Sequence, residues 1–277
     1  MPTNPPSLNP DQLELYLQRV KYADHATPTG TNAHANPRLD QLRNSVKQDP
    51  LATLTELQRR HLGSITWGNT ALGKYGSALL DPPFDLHSSC LCLRETRCPW
   101  PRWILHGKYQ SAIRGPMLPG IPGVSDRRPR DPADEGYISL SHMNLIVTIA
   151  GQKYMIDVGF GRNTPTSPLP LQEHITATLI SPGEMSLTKE PLAEFVGQTQ
   201  RVWVYRARND PQSPWHPQYS FSEVEFLLED FAMINFFTSK SRSILFTQKL
   251  ACTRVILDDE GLEPIGIYIL AGRELRG

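Results

Sequence analysis

The sequence predicts an α+β protein, with helices gathered at its N-terminal end and antiparallel strands through the remainder. Three observations carry this: capped amphipathic stretches before about Gly73, a period-2 apolar hairpin over residues 141–161, and a strand–helix–hairpin pattern from about Thr188 onward. Asn9 stands where a helix cap would, with Pro10 at the first helical position, and Leu13, Tyr16, Leu17 and Val20 then follow the spacing of one buried face. A second helix opens at Asp49-Pro50, carries Leu51, Leu54 and Leu57 on a stripe and stops at Gly63. The stretch between them, HATPTGTNAHANPR, reads as a polar loop. Toward the C-terminus, RVWVYRA (201–207) alternates like a strand. SEVEFLLEDFAMINFF (222–237) reads as a helix with Phe226, Leu227, Phe231 and Ile234 inward, and residues 252–270 read as a hairpin turning at Asp258 to Gly261.

Composition bounds the function. The 277 residues, 39% hydrophobic, suffice for one large domain or two to three small ones with a real core. Twenty-eight basic and 28 acidic residues give a net charge of zero, so nothing in the balance implies a nucleic-acid or membrane-surface partner. No apolar run approaches the ~18 residues of a membrane helix, and MPTNPPSLNPDQ lacks the apolar core of a signal peptide. Four cysteines in a chain this long make no disulfide framework, which leads us to expect a reducing, cytoplasmic setting.

The stretch SHMNLIVTIAGQKYMIDVGFG (141–161) is the most informative. With Ala150-Gly151 as a two-residue turn, Ile149 faces Gln152, Val147 faces Tyr154 and Leu145 faces Ile156. Met143, Leu145, Val147, Ile149, Tyr154, Ile156 and Val158 then share one face, and His142, Asn144, Thr148, Lys153, Met155 and Asp157 the other. His142 and Asp157 become diagonal neighbours, roughly 7–8 Å apart at the backbone and within side-chain reach. A histidine held by a carboxylate is the orienting half of a nucleophilic triad: the carboxylate fixes the tautomer and the imidazole activates a Ser or Cys. The alternative is two solvated residues on the polar face of a hairpin.

DVGFG after an apolar strand, with a histidine fifteen residues upstream, resembles the arylamine N-acetyltransferase family. LELYLQRVKY, LTELQRRHLGSITWGNTAL, RNTPTSPLPLQE and the stretch from PWHPQYSF to KLACTRVIL follow in matching order, in the form fungal members use. The resemblance covers most of residues 11–72 and 132–270. It implies an N-terminal helical bundle, a central antiparallel β-barrel and a C-terminal α/β lid. It also implies a Cys-His-Asp triad running a ping-pong acyl transfer from acetyl-CoA or malonyl-CoA to an arylamine, hydrazine or similar amine, with no permanently bound cofactor. His142 and Asp157 match the second and third triad members. The family nucleophile lies in an R-G-G-Y-C motif, which this chain does not contain.

PWPRWILHGKYQ (99–110) accounts for that gap. Read one base out of step, the codons of Trp103 to Gln110 can spell G-Y-C-M-E-N-T-K, and those of Pro99 to Arg102 can supply R-G-R-G ahead of it. Residues 82–132 hold three of the four cysteines and nine of the 25 prolines and show neither helical nor strand period. About Gly73 to Arg130 therefore reads as frame-displaced, with the frame returning near DPADEGYISLSH. The expected organisation is a helical bundle over 1–73, a poorly ordered aberrant segment over 74–131, the remaining barrel hairpin over 132–187, and the lid with C-terminal strands over 188–277. Lacking the strands of the displaced segment, the hairpin would be left with an unpaired edge.

Other candidates are weaker. Cys98, between Arg97 and Arg102, could carry a lowered thiol pKa, or be a free thiol in a disordered segment. Cys252 reads as core. Cys90, Cys92 and His87 lack a second ligand pair at zinc spacing, so no metal is expected. Gly159 and Gly161 can admit close backbone approach of a CoA ligand or simply end a strand. Lys240 and Arg242 in TSKSRS can meet a CoA phosphate or lie in an exposed loop. Two function classes remain: an amine N-acyltransferase, and a non-catalytic pseudoenzyme that binds CoA or a partner. A generic cysteine hydrolase is a third.

Overall fold

The computed structural model describes residues 9–23, 36–68, 109–116, 137–226 and 250–277, together with residues 230, 233, 234, 236 and 240; residues 109–116, 137–139 and 141 are described by their backbone. Cys90, Cys92, Cys98, His87 and Arg242 lie outside the described residues.

Three helices open the chain: α1 (Pro10–Arg19), α2 (Pro37–Gln48) and α3 (Pro50–Ser64). Each begins with an Asx-Pro pair. Asn9 accepts from the Gln12 amide at 2.8 Å while Gln12 Oε1 accepts from the Asn9 amide at 3.1 Å, and Asp49 accepts from the Ala52 amide at 2.9 Å. The helix α2 corrects the sequence reading, which placed Asn36, Pro37 and Arg38 at the end of a loop; here Asn36-Pro37 starts a helix, although the Asn36 side chain makes no capping bond. Leu13, Leu17 and Val20, Leu39 and Leu42, and Leu54 and Leu57 meet Tyr22 in one buried cluster. Val147 and Ile156 join it from the sheet, with Leu145, Ile149, Tyr154 and Val158 packed at its margin.

The sheet strands are β1 (Trp67–Gly68), β2 (Tyr109–Pro116), β3 (Tyr137–Ile149), β4 (Gln152–Ile156), β5 (Leu169–Pro170), β6 (Thr176–Thr178), β7 (Glu184–Glu190), β8 (Val202–Arg208), β9 (His216–Phe221), β10 (Ala251–Leu257), β11 (Pro264–Ala271) and β12 (Glu274–Arg276). Eight form one antiparallel sheet in the order β5-β4-β3-β2-β9-β8-β7-β6, and β1-β10-β11-β12 form a second. The expected closed β-barrel is not formed: β5 and β6 end the larger sheet, and no ladder joins them among the described residues. That sheet also runs across the expected boundary at residue 187, which falls inside β7.

The β3–β4 register is the one the alternation predicts, with Ile149 opposite Gln152, Val147 opposite Tyr154 and Leu145 opposite Ile156. Ala150 and Gly151 both take positive φ, 49° and 84°, the twist of a tight two-residue hairpin turn. Within 74–131, expected to be a poorly ordered segment, residues 109–116 form β2, whose backbone pairs with β3 from Tyr109–Ile146 to Pro116–Tyr137 and with β9 at Ile113–Phe221. The β3 edge is therefore paired. Of the stretch expected to be helical at 222–237, residues 222–226 are not helical, whereas Asp230, Met233, Ile234 and Phe236 are helical among the described residues, and Ile234 packs with Phe226, Leu140 and Met143. The hairpin expected near the C-terminus is β10–β11.

Candidate active site

The hairpin brings the two sequence-predicted site residues into contact. His142 Nε2 lies 2.8 Å from Asp157 Oδ2, the distance of a charge-assisted hydrogen bond. Asp157 Oδ1 accepts from the Gly159 amide at 2.7 Å, so both carboxylate oxygens are engaged. The Asp157 side chain is 1% exposed and that of His142 13%. The imidazole Nε2 is therefore fixed by a buried carboxylate, and Nδ1 makes no hydrogen bond among the described residues, an arrangement of the kind a nucleophile-activating histidine needs.

The surroundings are aromatic. His142 sits 5.7 Å from Phe160 and 6.0 Å from Tyr219 between ring centroids, and Phe160 meets Tyr219 edge-on at 4.8 Å. Burial, then the charge of Asp157, pushes the phenols of Tyr205 and Tyr219 well above the usual tyrosine range, so both stay neutral. Tyr205 Oη donates to the Asn163 carbonyl at 2.8 Å and Tyr219 Oη faces Met155 Sδ at 3.4 Å. A water-poor wall of this kind strengthens the His142–Asp157 hydrogen bond and makes its loss more costly.

The face carrying the pair is not the solvated face that the alternation suggested. Ile146 and Met155 share it and lie in a second core with Met185, Leu187, Trp203, Tyr205, Tyr219 and Phe221. Asn144 is buried there as well, and neither end of its amide has a hydrogen-bond partner among the described residues. The sequence signal for this second core was the Ile146–Met155 pair, directly opposite each other in the ladder.

The loop after β4 is held from α3. Gln58, fully buried, donates through Nε2 to the Asp157 carbonyl at 3.1 Å and to the Pro165 carbonyl at 2.7 Å. Thr164 Oγ1 reaches the same Asp157 carbonyl at 3.5 Å. Periodicity had put no role on Gln58; only its place between Leu54, Leu57 and Leu62 on a buried helix face marked it.

The remaining predicted residues separate. The Gly159 amide is committed to Asp157. Gly161 has φ 91°, a conformation that strains any side-chain-bearing residue, and a Cβ there would also crowd the Trp67 ring at 3.2 Å. Lys240 is exposed and helical, not in a loop. Cys252 is a half-buried free thiol on β10, opposite Gly68, and burial raises its pKa. Among the described residues no helix is long and apolar enough to cross a membrane.

A family model described as N-acetyltransferase matches residues 130–264. The "N-malonyltransferase FDB2" of Gibberella moniliformis is 31% identical over 271 residues, covering 92% of this chain and 76% of that one. "Arylamine N-acetyltransferase 2" of Mus musculus is 25% identical over 81% of this chain and 76% of its own length. The structure of Mycobacterium marinum arylamine N-acetyltransferase in complex with CoA superposes with a TM-score of 0.58 at 22% identity, covering 94% of this chain and 80% of that one. With a relative this similar across most of both chains, the protein belongs to the arylamine N-acetyltransferase family.

Proposed function

We propose that this chain is an acyl-CoA-dependent amine N-acyltransferase whose His142 and Asp157 form two thirds of a Cys-His-Asp triad, and that its nucleophile is hidden by a one-base displacement over about residues 73–130. The observation that carries the reading is the buried 2.8 Å contact between His142 Nε2 and Asp157 Oδ2. His142 takes the thiol proton as the cysteine sulfur attacks the acyl-CoA thioester, and the C–S bond to CoA breaks. The CoA thiolate leaves with that proton. The amine then attacks the acyl-cysteine, His142 accepts the amine proton, and the thiol is regenerated as the amide departs. The relatives named above support acyl-CoA as donor, acetyl or malonyl, and an arylamine as acceptor. Gly161 and Lys240 are retained as candidate CoA contacts, and Arg242, two residues beyond Lys240, by sequence. Support for the displacement is the shifted reading R-G-R-G-G-Y-C-M-E-N-T-K at 99–110 and the start of the family-model match at residue 130, close to DPADEGYISLSH, where the frame is proposed to return.

A second reading applies to the chain as written. It carries the histidine and aspartate without the R-G-G-Y-C motif, and so acts as a pseudoenzyme that turns nothing over. Sequencing the transcript from codon 66 to codon 142, then assaying the encoded protein with acyl-CoA and an arylamine, separates the two. A one-base difference or shifted intron boundary that restores R-G-G-Y-C, with acyl transfer dependent on the amine, establishes the transferase. A transcript matching the chain, with no turnover, establishes the pseudoenzyme. Acyl-CoA consumption that needs no amine indicates a hydrolase.

A further inference from the structure

We propose that Gln58 is the positioning residue of the His142–Asp157 pair: an amide on the helical bundle that holds the backbone of Asp157 in register with His142. The inference rests on the acyltransferase reading only for calling the pair catalytic. The geometry is independent of it.

Asp157 is fixed at three atoms. Oδ2 meets His142, Oδ1 meets the Gly159 amide, and its carbonyl oxygen receives Gln58 Nε2 at 3.1 Å and, more weakly, Thr164 Oγ1 at 3.5 Å. The same Nε2 receives a second anchor, the Pro165 carbonyl at 2.7 Å, so one amide ties both ends of the 157–165 loop to α3. Both partners are carbonyl acceptors, so the nitrogen end of the amide must face them. Next to it, Arg59 reaches the Thr166 carbonyl at 3.4 Å and the Leu262 carbonyl at 3.1 Å, which extends the clamp to the C-terminal sheet.

The other end of the amide decides against a purely packing role. Gln58 Oε1 is buried with no hydrogen-bond partner among the described residues. A buried unsatisfied acceptor costs on the order of 1–3 kcal/mol, a penalty that an apolar side chain of similar volume would not carry. What glutamine supplies in exchange is the pair of N–H donors aimed at the loop. Loss of those donors leaves the Asp157 carbonyl with Thr164 alone and loosens the backbone that sets the carboxylate against Nε2.

The test uses the chain as it stands, because the His142–Asp157 hydrogen bond does not need the nucleophile. The readout is the His142 Nε2 proton resonance by NMR, assigned by its disappearance in Asp157→Asn. In Gln58→Met, which conserves volume, the protein is expected to keep its circular dichroism while this proton exchanges with solvent roughly tenfold faster, as loss of one buried hydrogen bond implies. Should the methionine variant fail to fold, Gln58→Leu also removes the donors with a smaller apolar side chain, and the same acceleration is expected. Wild-type exchange in either folded variant overturns the proposal, and failure of both to fold assigns Gln58 to the fold and overturns it too. An inactive restored-frame enzyme would leave this resonance in place, so failure of the acyltransferase reading is seen separately.

Discussion

The two faces of the β3–β4 hairpin arise from one alternating sequence and are buried in different ways. Toward the helices, Leu145, Val147, Ile149, Tyr154, Ile156 and Val158 present an unbroken apolar surface. Toward β7, β8 and β9, Ile146 and Met155 are interleaved with His142, Asn144 and Asp157, none of which is exposed. The first face is held by non-directional contact, which tolerates exchanges that preserve volume. The second is held by directional bonds, where removal of one partner strands the other in a low-dielectric site. Alternation in this chain therefore separates two kinds of interior, and the polar kind is the one able to do chemistry.

The largest expected effect tests the polar face. In the protein with R-G-G-Y-C restored, Asp157→Asn should fold and yet lose about 10⁴-fold in kcat, because an amide permits the wrong imidazole tautomer. Steady-state acyl transfer beside a melting curve checks this; a loss below about tenfold would remove the pair from the chemistry. The apolar face responds in the opposite currency. Ile156→Ala in the present chain should lose about 2–5 kcal/mol in urea unfolding while the folded fraction retains the His142–Asp157 proton resonance. If that resonance disappears while the protein remains folded, the two faces are not separable.

Much of this hairpin was legible in the sequence because register and turn are local. A two-residue turn at Ala150-Gly151 and the period of two suffice to place His142 diagonal to Asp157. What could not be read was the environment. Met155 and Asp157 look solvated until Tyr219, more than 60 residues away, closes over that face, while Lys153 stays partly exposed. Gln58 was invisible for the same reason: its partners lie 99 and 107 residues along the chain. The start of α2 was missed although Asn36-Pro37 repeats the signal at Asn9-Pro10 and Asp49-Pro50, because the turn-rich run before it favoured a loop. Closure of the sheet was expected from family resemblance, and the strand order leaves it open between β5 and β6.

Acid separates the two interiors by titration. On the helical side, burial and then the Arg19 charge lower the pKa of His61 to about 4 from an ordinary 6.5, and its Nδ1 is hydrogen-bonded to Tyr16 Oη at 3.0 Å. The unfolded chain binds the proton first, so this contribution is complete above pH 6.5 and falls as pH drops toward 4, by roughly 3 kcal/mol in all. Unfolding free energy measured across that range should show the loss, and His61→Leu should flatten it. A wild-type slope in His61→Leu would assign the acid sensitivity elsewhere.

The smallest effect belongs to the sheet side. Glu223 receives Lys153 Nζ from β4 at 2.6 Å, Trp203 Nε1 from β8 at 2.9 Å and Lys189 Nζ from β7 at 3.4 Å. Burial alone would raise its pKa. The hydrogen bonds from Lys153 and Trp203 and the charges of the two lysines outweigh that and hold it at about 2, against an ordinary 4.5. Its stabilising contribution is therefore present above pH 4.5 and lost as pH falls toward 2, a window below that of His61. The cluster is open to solvent, so the contribution should be under about 1 kcal/mol. Glu223→Gln keeps an acceptor for Trp203 and removes the charge. It should flatten only the limb between pH 4.5 and 2 and leave the limb between 6.5 and 4 intact. A variant that altered the upper limb would couple the two faces through the hairpin, and one that altered neither would leave the polar face held by Asp157 and its partners alone.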